Sequence, residues 1–121
     1  MNVTVDRYFA AMERHDWEEL RSCLSDSFSR VGPYEDHAWG TPDDYVAFLR
    51  GLLPTLNGQR VVITEMVEEG PLVHVNVTET IDVEGSPHTV RVAGTFRLDQ
   101  NDRIEHVEVF VRRLPPDGAS S

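Results

Sequence analysis

FSRVGPYEDHAWGTPDDYVAFLRGLL, residues 28–53, is the stretch on which the reading of the chain turns. It runs strand, turn, loop, helix. Phe28–Val31 reads as a short strand and Gly32-Pro33 as a turn. The helix start is well marked. Thr41 is a cap, Pro42 takes the first helical position, and Asp43 and Asp44 sit near the positive end of the helix dipole. Tyr45, Phe48, Leu49, Leu52 and Leu53 then recur at helical spacing and predict a buried stripe, which Pro54 ends. Between strand and helix, Tyr34, Glu35, Asp36, His37 and Trp39 crowd one connection. Binding residues collect on such connections between rigid elements.

Upstream, Val5, Tyr8, Phe9 and Met12 predict an amphipathic helix over residues 4–15 with Thr4 as its cap. Asp16 and Glu19 form a capping pattern for a second helix, whose apolar side is Trp17, Leu20, Cys23 and Leu24. Ser25-Asp26-Ser27 is expected to break it. Downstream, Asn57-Gly58 predicts a turn, and everything after it reads as strand. Residues 60–68 are rich in β-branched side chains. Over 71–83 the alternation puts Val73, Val75, Val77, Ile81 and Val83 on one face. On the next strand Val90, Val92, Phe96 and Leu98 face one way, and Ile104–Arg113 is the last strand. Turns are expected at Gly70-Pro71, Gly85-Ser86-Pro87 and Asp99–Asp102.

Three helices followed by antiparallel strands predict an α+β layout. A sheet with one apolar face needs a cover, and the N-terminal helices are the cover available. A sheet that curls around them can leave a cavity between the layers. With 121 residues the chain is expected to form one domain over 1–114, followed by a disordered polar tail over 115–121. The formal charge of −10 argues against nucleic acid and against anionic membrane surfaces. Cys23 is the single cysteine, so no intrachain disulfide is possible; it is expected to be buried and inert. The start MNVTVDRYF lacks a basic region followed by an apolar run, and no apolar run reaches membrane-spanning length. The expected location is cytoplasmic.

With that layout in place, the chain resembles the NTF2-like superfamily, the cone-shaped fold of ketosteroid isomerases, SnoaL-type polyketide cyclases, scytalone dehydratase and limonene epoxide hydrolases. The resemblance covers roughly residues 3–113. VDRYFAAMERHD at 5–16 is similar to the first helix of ketosteroid isomerase and its exit, and Gly32-Pro33 falls where that family has Asp-Pro. The resemblance implies that Tyr8 is an oxyanion-hole donor. It places the family's general-base aspartate on Gly32 and its protonated aspartate on Gly94, so neither acid is present. Tyr34-Glu35-Asp36 is similar to the water-holding Tyr-x-Asn of the epoxide hydrolases. Their Arg and Asp partners have no counterpart in the match. The last-strand acid of that family, and of the SnoaL-type cyclases, falls on Val109. The fold implied is a curved antiparallel sheet packed under three helices, commonly dimeric through its outer face. Arg91, Arg97, His106, Glu108 and Arg112 lie on the face expected to form that homodimer contact.

The alternation itself singles out Glu79, which falls between Val77 and Ile81 on the inward face. A carboxylate there would be desolvated and its pKa raised, as a general acid or base requires. A bulge at Thr78-Glu79-Thr80 would instead turn it outward, and an arginine could pair it as a structural ion pair. Tyr8 and Glu79 are thus the candidate catalytic pair, Tyr8 having the alternative of a core tyrosine. Tyr34, Asp36, His37 and Trp39 are candidate binding residues, with turn hydrogen bonding as their alternative and a lid over the helices as the alternative for Trp39. The predicted pocket wall is Phe48, Val75, Val77, Val92, Phe96, Val107, Val109 and Val111, which suits a small hydrophobic ligand. The same residues could fill the core and leave no cavity. His74 and His106 stand alone on outward faces, so no metal is expected, and no glycine-rich phosphate loop calls for a cofactor. The sequence therefore supports an isomerase-, cyclase- or hydrolase-like acid–base enzyme acting on a small hydrophobic carbonyl compound. The alternative is a non-catalytic binding or dimerisation module.

Overall fold

The computed structural model describes residues 2–33 and 37–112. Tyr34 and Asp36 lie outside the described residues, as does the tail over 115–121. Helices α1 (Val3–Arg14) and α2 (Trp17–Ser22) lead into β1 (Leu24–Val31) and a two-residue strand β2 (Ala38–Trp39). Helix α3 (Pro42–Leu52) and a 3₁₀ turn (Leu53–Thr55) precede four long strands. These are β3 (Asn57–Glu69), β4 (Leu72–Val83), β5 (Ser86–Leu98) and β6 (Ile104–Arg112). One sheet contains all six strands in the order β2-β1-β6-β5-β4-β3, and the architecture is α+β.

Local chemistry fixes the helix ends. Asp16 caps α2 by accepting from the Glu19 amide at 3.2 Å, and Thr41 caps α3 by accepting from the Asp44 amide at 3.1 Å. The cap of α1 differs from expectation: Asn2 accepts from the Val5 amide at 3.1 Å. Thr4 is buried inside the helix, and its hydroxyl donates to the Asp102 carbonyl at 2.7 Å. Pro54 ends α3 as predicted, and the chain leaves through the 3₁₀ turn.

The strands depart from expectation where tertiary pairing overrides composition. Ser25–Ser27 is not a break but part of β1, because β1 pairs in parallel with β6, with Arg30 opposite Val107. The pairing holds Leu24 on one side of the serine run and Ser29–Val31 on the other, and the register shifts between them, so the run crosses the strand as an irregularity that a local reading takes for a break. Asn57-Gly58 opens β3 instead of turning the chain. Ser86 and Pro87 belong to β5, and the hairpin turns on Glu84 (φ 52°) and Gly85 (φ 84°), the positive pair a tight hairpin favours. The meander β3-β4-β5-β6 is antiparallel throughout. The parallel β1–β6 pair, unforeseen in the sequence, closes one side of the curved layer.

The core lies between the inner sheet face and the helices. Val73, Val75, Val77, Phe96, Val107 and Val109 meet Val5, Tyr8 and Met12 of α1 and Tyr45 and Leu49 of α3. Cys23 is buried among them. Two members of the predicted α3 stripe are not fully buried: Phe48 is 37% exposed and Leu52 38%. Both turn toward a cavity mouth described below, so the stripe of α3 is wider than the core it covers. No helix among the described residues is long and apolar enough to cross a membrane.

Gly32, where β1 gives way to the loop, has φ +90°, and a Cβ built there would stand 2.1 Å from the Val109 carbonyl oxygen. The strand end therefore presses against β6 with no room for a side chain. Gly32→Ala is expected to cost on the order of 1–3 kcal/mol or more, combining left-handed backbone with a backbone clash. The urea midpoint would fall. An unchanged midpoint would mean that β1 and β6 are not in this contact.

Candidate functional site

Two adjoining cavities open between the sheet and the helices. The inner one, about 60 Å³, is lined by Tyr8, Phe9, Arg30, Glu79, Phe96 and Val107 among others. The outer one, about 200 Å³, runs past His37, Trp39, Phe48, Gln59, Val90 and Val111. Met12, Arg30, Glu79, Val92 and Val109 line both, so they read as one site with a narrow floor and a wider mouth.

The floor is built by three elements. α1 carries Tyr8, 2% exposed, with Val5 and Met12 flanking it on the buried face. α3 carries Tyr45, fully buried one turn after the Thr41 cap. β1 carries Arg30, two residues after the buried Phe28 and so on the same inward face. The hydroxyls of Tyr8 and Tyr45 hydrogen-bond to each other. Arg30 Nη1 donates to Tyr45 Oη at 2.6 Å. The guanidinium lies 5.1 Å from the Tyr45 ring centroid and 5.5 Å from that of Trp39, within cation–π range.

Glu79 enters from β4. Its register is continuous on both sides, opposite Val61 of β3 and Val90 of β5, so no bulge turns it outward. Burial pushes its carboxyl above the ordinary glutamate value, while a hydrogen bond from Gln59 and the charge of Arg30 pull it part of the way back. Arg30 influences Glu79 electrostatically, but no ion pair within 4.0 Å joins them among the described residues. Glu79 is therefore an inward, half-buried carboxyl and not one half of a structural salt bridge. Burial also drives Tyr8 well above the usual tyrosine value, so it stays a neutral donor. For Arg30, burial works against the charge, yet the hydroxyls of Tyr45 and Tyr8 and the carboxyl of Glu79 outweigh it, and its pKa is raised.

All eight predicted wall residues line these cavities. Val75, Val77, Phe96 and Val107 line the inner one, Phe48 and Val111 the mouth, and Val92 and Val109 both. Gly94 also lines the floor; a Cβ there would come within 3.2 Å of the Phe96 ring, so the glycine leaves the floor open. Trp39 packs on Phe48 with ring centroids 4.5 Å apart and the planes tilted by 38°, and its centroid lies 5.6 Å from those of Tyr45 and His37. It sits at the mouth against α3. His74 bonds Thr95 and Glu69, and His106 bonds Ser29, so each outer-face histidine has local partners. Among the described residues no three His, Cys, Asp or Glu side chains converge to hold a metal ion.

The sequence reading missed Arg30, Tyr45 and Gln59 as site residues. Arg30 was within reach of the pattern: Phe28 and Arg30 are two apart on a strand, so a buried Phe28 carries Arg30 inward with it. Tyr45 was assigned to the α3 stripe, and its hydroxyl partners come from α1 and β1, which no local pattern links.

Removing the Glu79 charge has a signed consequence for stability. A carboxyl whose folded pKa exceeds its unfolded value favours folding while protonated and loses that contribution as pH rises through the folded value. Glu79→Gln should therefore match wild type below the unfolded carboxylate value of about 4.3 and become the more stable protein above the folded one. Paired thermal melts from pH 4 to pH 7 measure this. A variant less stable than wild type at pH 7 contradicts the assigned burial.

A profile of the SnoaL-like domain matches residues 5–107. No curated protein matches the chain. Solved structures show the same NTF2-like, ketosteroid isomerase-like fold at low identity. An LEH-like epoxide hydrolase of M. tuberculosis is 17% identical with a TM-score of 0.78, covering 90% of this chain and 80% of that one. A hypothetical protein of ketosteroid isomerase-like fold from Catenulispora acidiphila, in complex with trimethylamine, is 14% identical with a TM-score of 0.79, covering 89% and 84%. An NTF2-like protein of unknown function from Burkholderia pseudomallei is 23% identical with a TM-score of 0.77, covering 90% and 88%.

Proposed function

We propose, for a chain that belongs to the SnoaL-like domain family, acid–base catalysis on a small hydrophobic carbonyl compound, of isomerase, cyclase or hydrolase type. The observation that carries this reading is the convergence of Glu79 and Tyr8 on the floor of one apolar cavity. Glu79 carries the proton. Its raised pKa makes it a stronger base than a solvated carboxylate when ionised and an available acid when protonated. Tyr8 meets the oxygen that gains charge.

Arg30 and Tyr45 complete the donor side. Arg30 donates to Tyr45; if Tyr45 in turn donates to Tyr8, the Tyr8 proton is left for the cavity. Donors in series polarise one another, so the Arg30 charge strengthens the Tyr8 donor through Tyr45. In an isomerisation, Glu79 would take a proton from the carbon beside the carbonyl. The electrons would move onto the oxygen held by Tyr8, and the same proton would return at a second carbon. His37, Trp39 and Phe48 would hold the apolar body of the substrate at the mouth.

The narrowness of the floor, about 60 Å³, favours a second reading, a non-catalytic binding module. Turnover separates the two. Screening enolisable ketones and esters should find one that is converted, with Glu79→Gln lowering kcat at least about 10²-fold. Tyr8→Phe should lower it about 10²- to 10³-fold, the loss of one donor. Conversion at the wild-type rate by Glu79→Gln sinks the catalytic assignment. Binding without conversion by wild type leaves the module reading.

The outer sheet face supports the homodimer reading. Phe110 is 55% exposed there, facing Ala93 across the β5–β6 pair. Phe110→Asp is expected to shift the sedimentation coefficient from dimer to monomer. A wild type that sediments as a monomer removes the dimer.

A further inference from the structure

The cavity holds one permanent cation and one titratable acid. An arginine side chain does not deprotonate in a protein, so Arg30 is charged at every working pH. Among the described residues its guanidinium makes a single hydrogen bond, Nη1 to Tyr45, which is neutral. Its Nε is buried and has no partner. Among the described residues Glu79 is the only acidic side chain lining either cavity, and it stands outside ion-pair distance. Burial also biases Glu79 toward its protonated, neutral form. Two aromatic faces offset part of the cost of this charge, but a half-buried cation without an ion-pair partner remains expensive. Among the described residues no carboxylate pairs with it, and Arg30 lines the space where a ligand would lie.

We propose that this cavity binds a small hydrophobic carboxylate, with the carboxylate on Arg30 and an aromatic or aliphatic body between Trp39 and Phe48. Charge-assisted hydrogen bonds to a guanidinium are about twice as strong as neutral ones, and the site is screened from water. The mouth of about 200 Å³ falls below the usual 300–1,000 Å³ of drug-sized pockets, which limits the body to about one ring. The proposal rests on reading the cavity as the ligand site, and it requires no turnover.

The test is an NMR titration of the whole chain with phenylacetate and with its neutral analogue phenylacetamide, read at the Trp39 indole N–H. Phenylacetate should bind at least about tenfold tighter than the amide, the ratio a charge-assisted contact supplies. Arg30→Met should bring that ratio to one while leaving the amide affinity measurable, which also shows that the variant is folded. Should Arg30→Met fail to fold, Arg30→Lys carries the same reading, since it keeps the charge and so a reduced preference. Equal binding of acid and amide by wild type, or binding of neither into the millimolar range, overturns the proposal. So does a carboxylate preference that survives Arg30→Met. The catalytic reading falls separately, on the turnover of carbonyl compounds, and a carboxylate preference would stand without it.

Discussion

A guanidinium that cannot lose its charge sits inside an apolar cone, and the hydroxyl of Tyr45 holds it there at 2.6 Å. Much of the interior is arranged around that contact. Tyr45 can reach Arg30 because α3 packs over β1, and Tyr8 can reach Tyr45 because α1 lies across the same floor. Three elements distant in sequence are thereby tied by one polar chain in surroundings that are otherwise valine and phenylalanine. Buried polar groups of this kind are costly unless they are satisfied, and an arrangement that satisfies most of them is a strong constraint on packing.

The position of β1 makes this possible. Its parallel pairing with β6 sets Arg30 opposite Val107, so the arginine emerges from the inner face beside the strand that forms the cavity wall. Gly32 then lets β1 end hard against Val109. At the position where the resembling isomerases carry their base, this chain has no space for any side chain. The inward carboxyl of the cavity lies instead on β4, at Glu79. The chain has the cone and a tyrosine on its first helix, and its inward acid enters from a different strand.

Much of this was legible in the sequence. Period-two alternation over 71–83 marks the inward face, and with it Glu79, from the residues alone. The Thr41-Pro42 start of α3 and the Asp16 cap followed from local hydrogen-bond chemistry, which needs no tertiary context. The errors have a common cause. Ser25–Ser27 and Asn57-Gly58 look like breaks because their composition favours turns, yet pairing with β6 and β4 at and around them keeps both stretches within strands, with a shift of register at each. Arg30 was overlooked because a charged residue on a short strand is ordinarily solvated, and only the buried Phe28 two residues earlier marks it as inward. Leu52 fits a core stripe but lines a cavity mouth, and Phe48 fits both the stripe and the predicted pocket wall; spacing alone does not separate packing from lining.

The chemistry proposed for this member of the SnoaL-like family depends on a desolvated carboxyl in the cavity that Arg30 also lines. The direct measurement is the pKa of Glu79, by side-chain NMR titration with Glu79→Gln to identify the resonance. A value clearly above the model-peptide figure of about 4.3 is the outcome required here, because desolvation must outweigh both Gln59 and Arg30. A value at or below that figure would mean that Glu79 is solvated or paired with Arg30, and the acid–base account would be wrong.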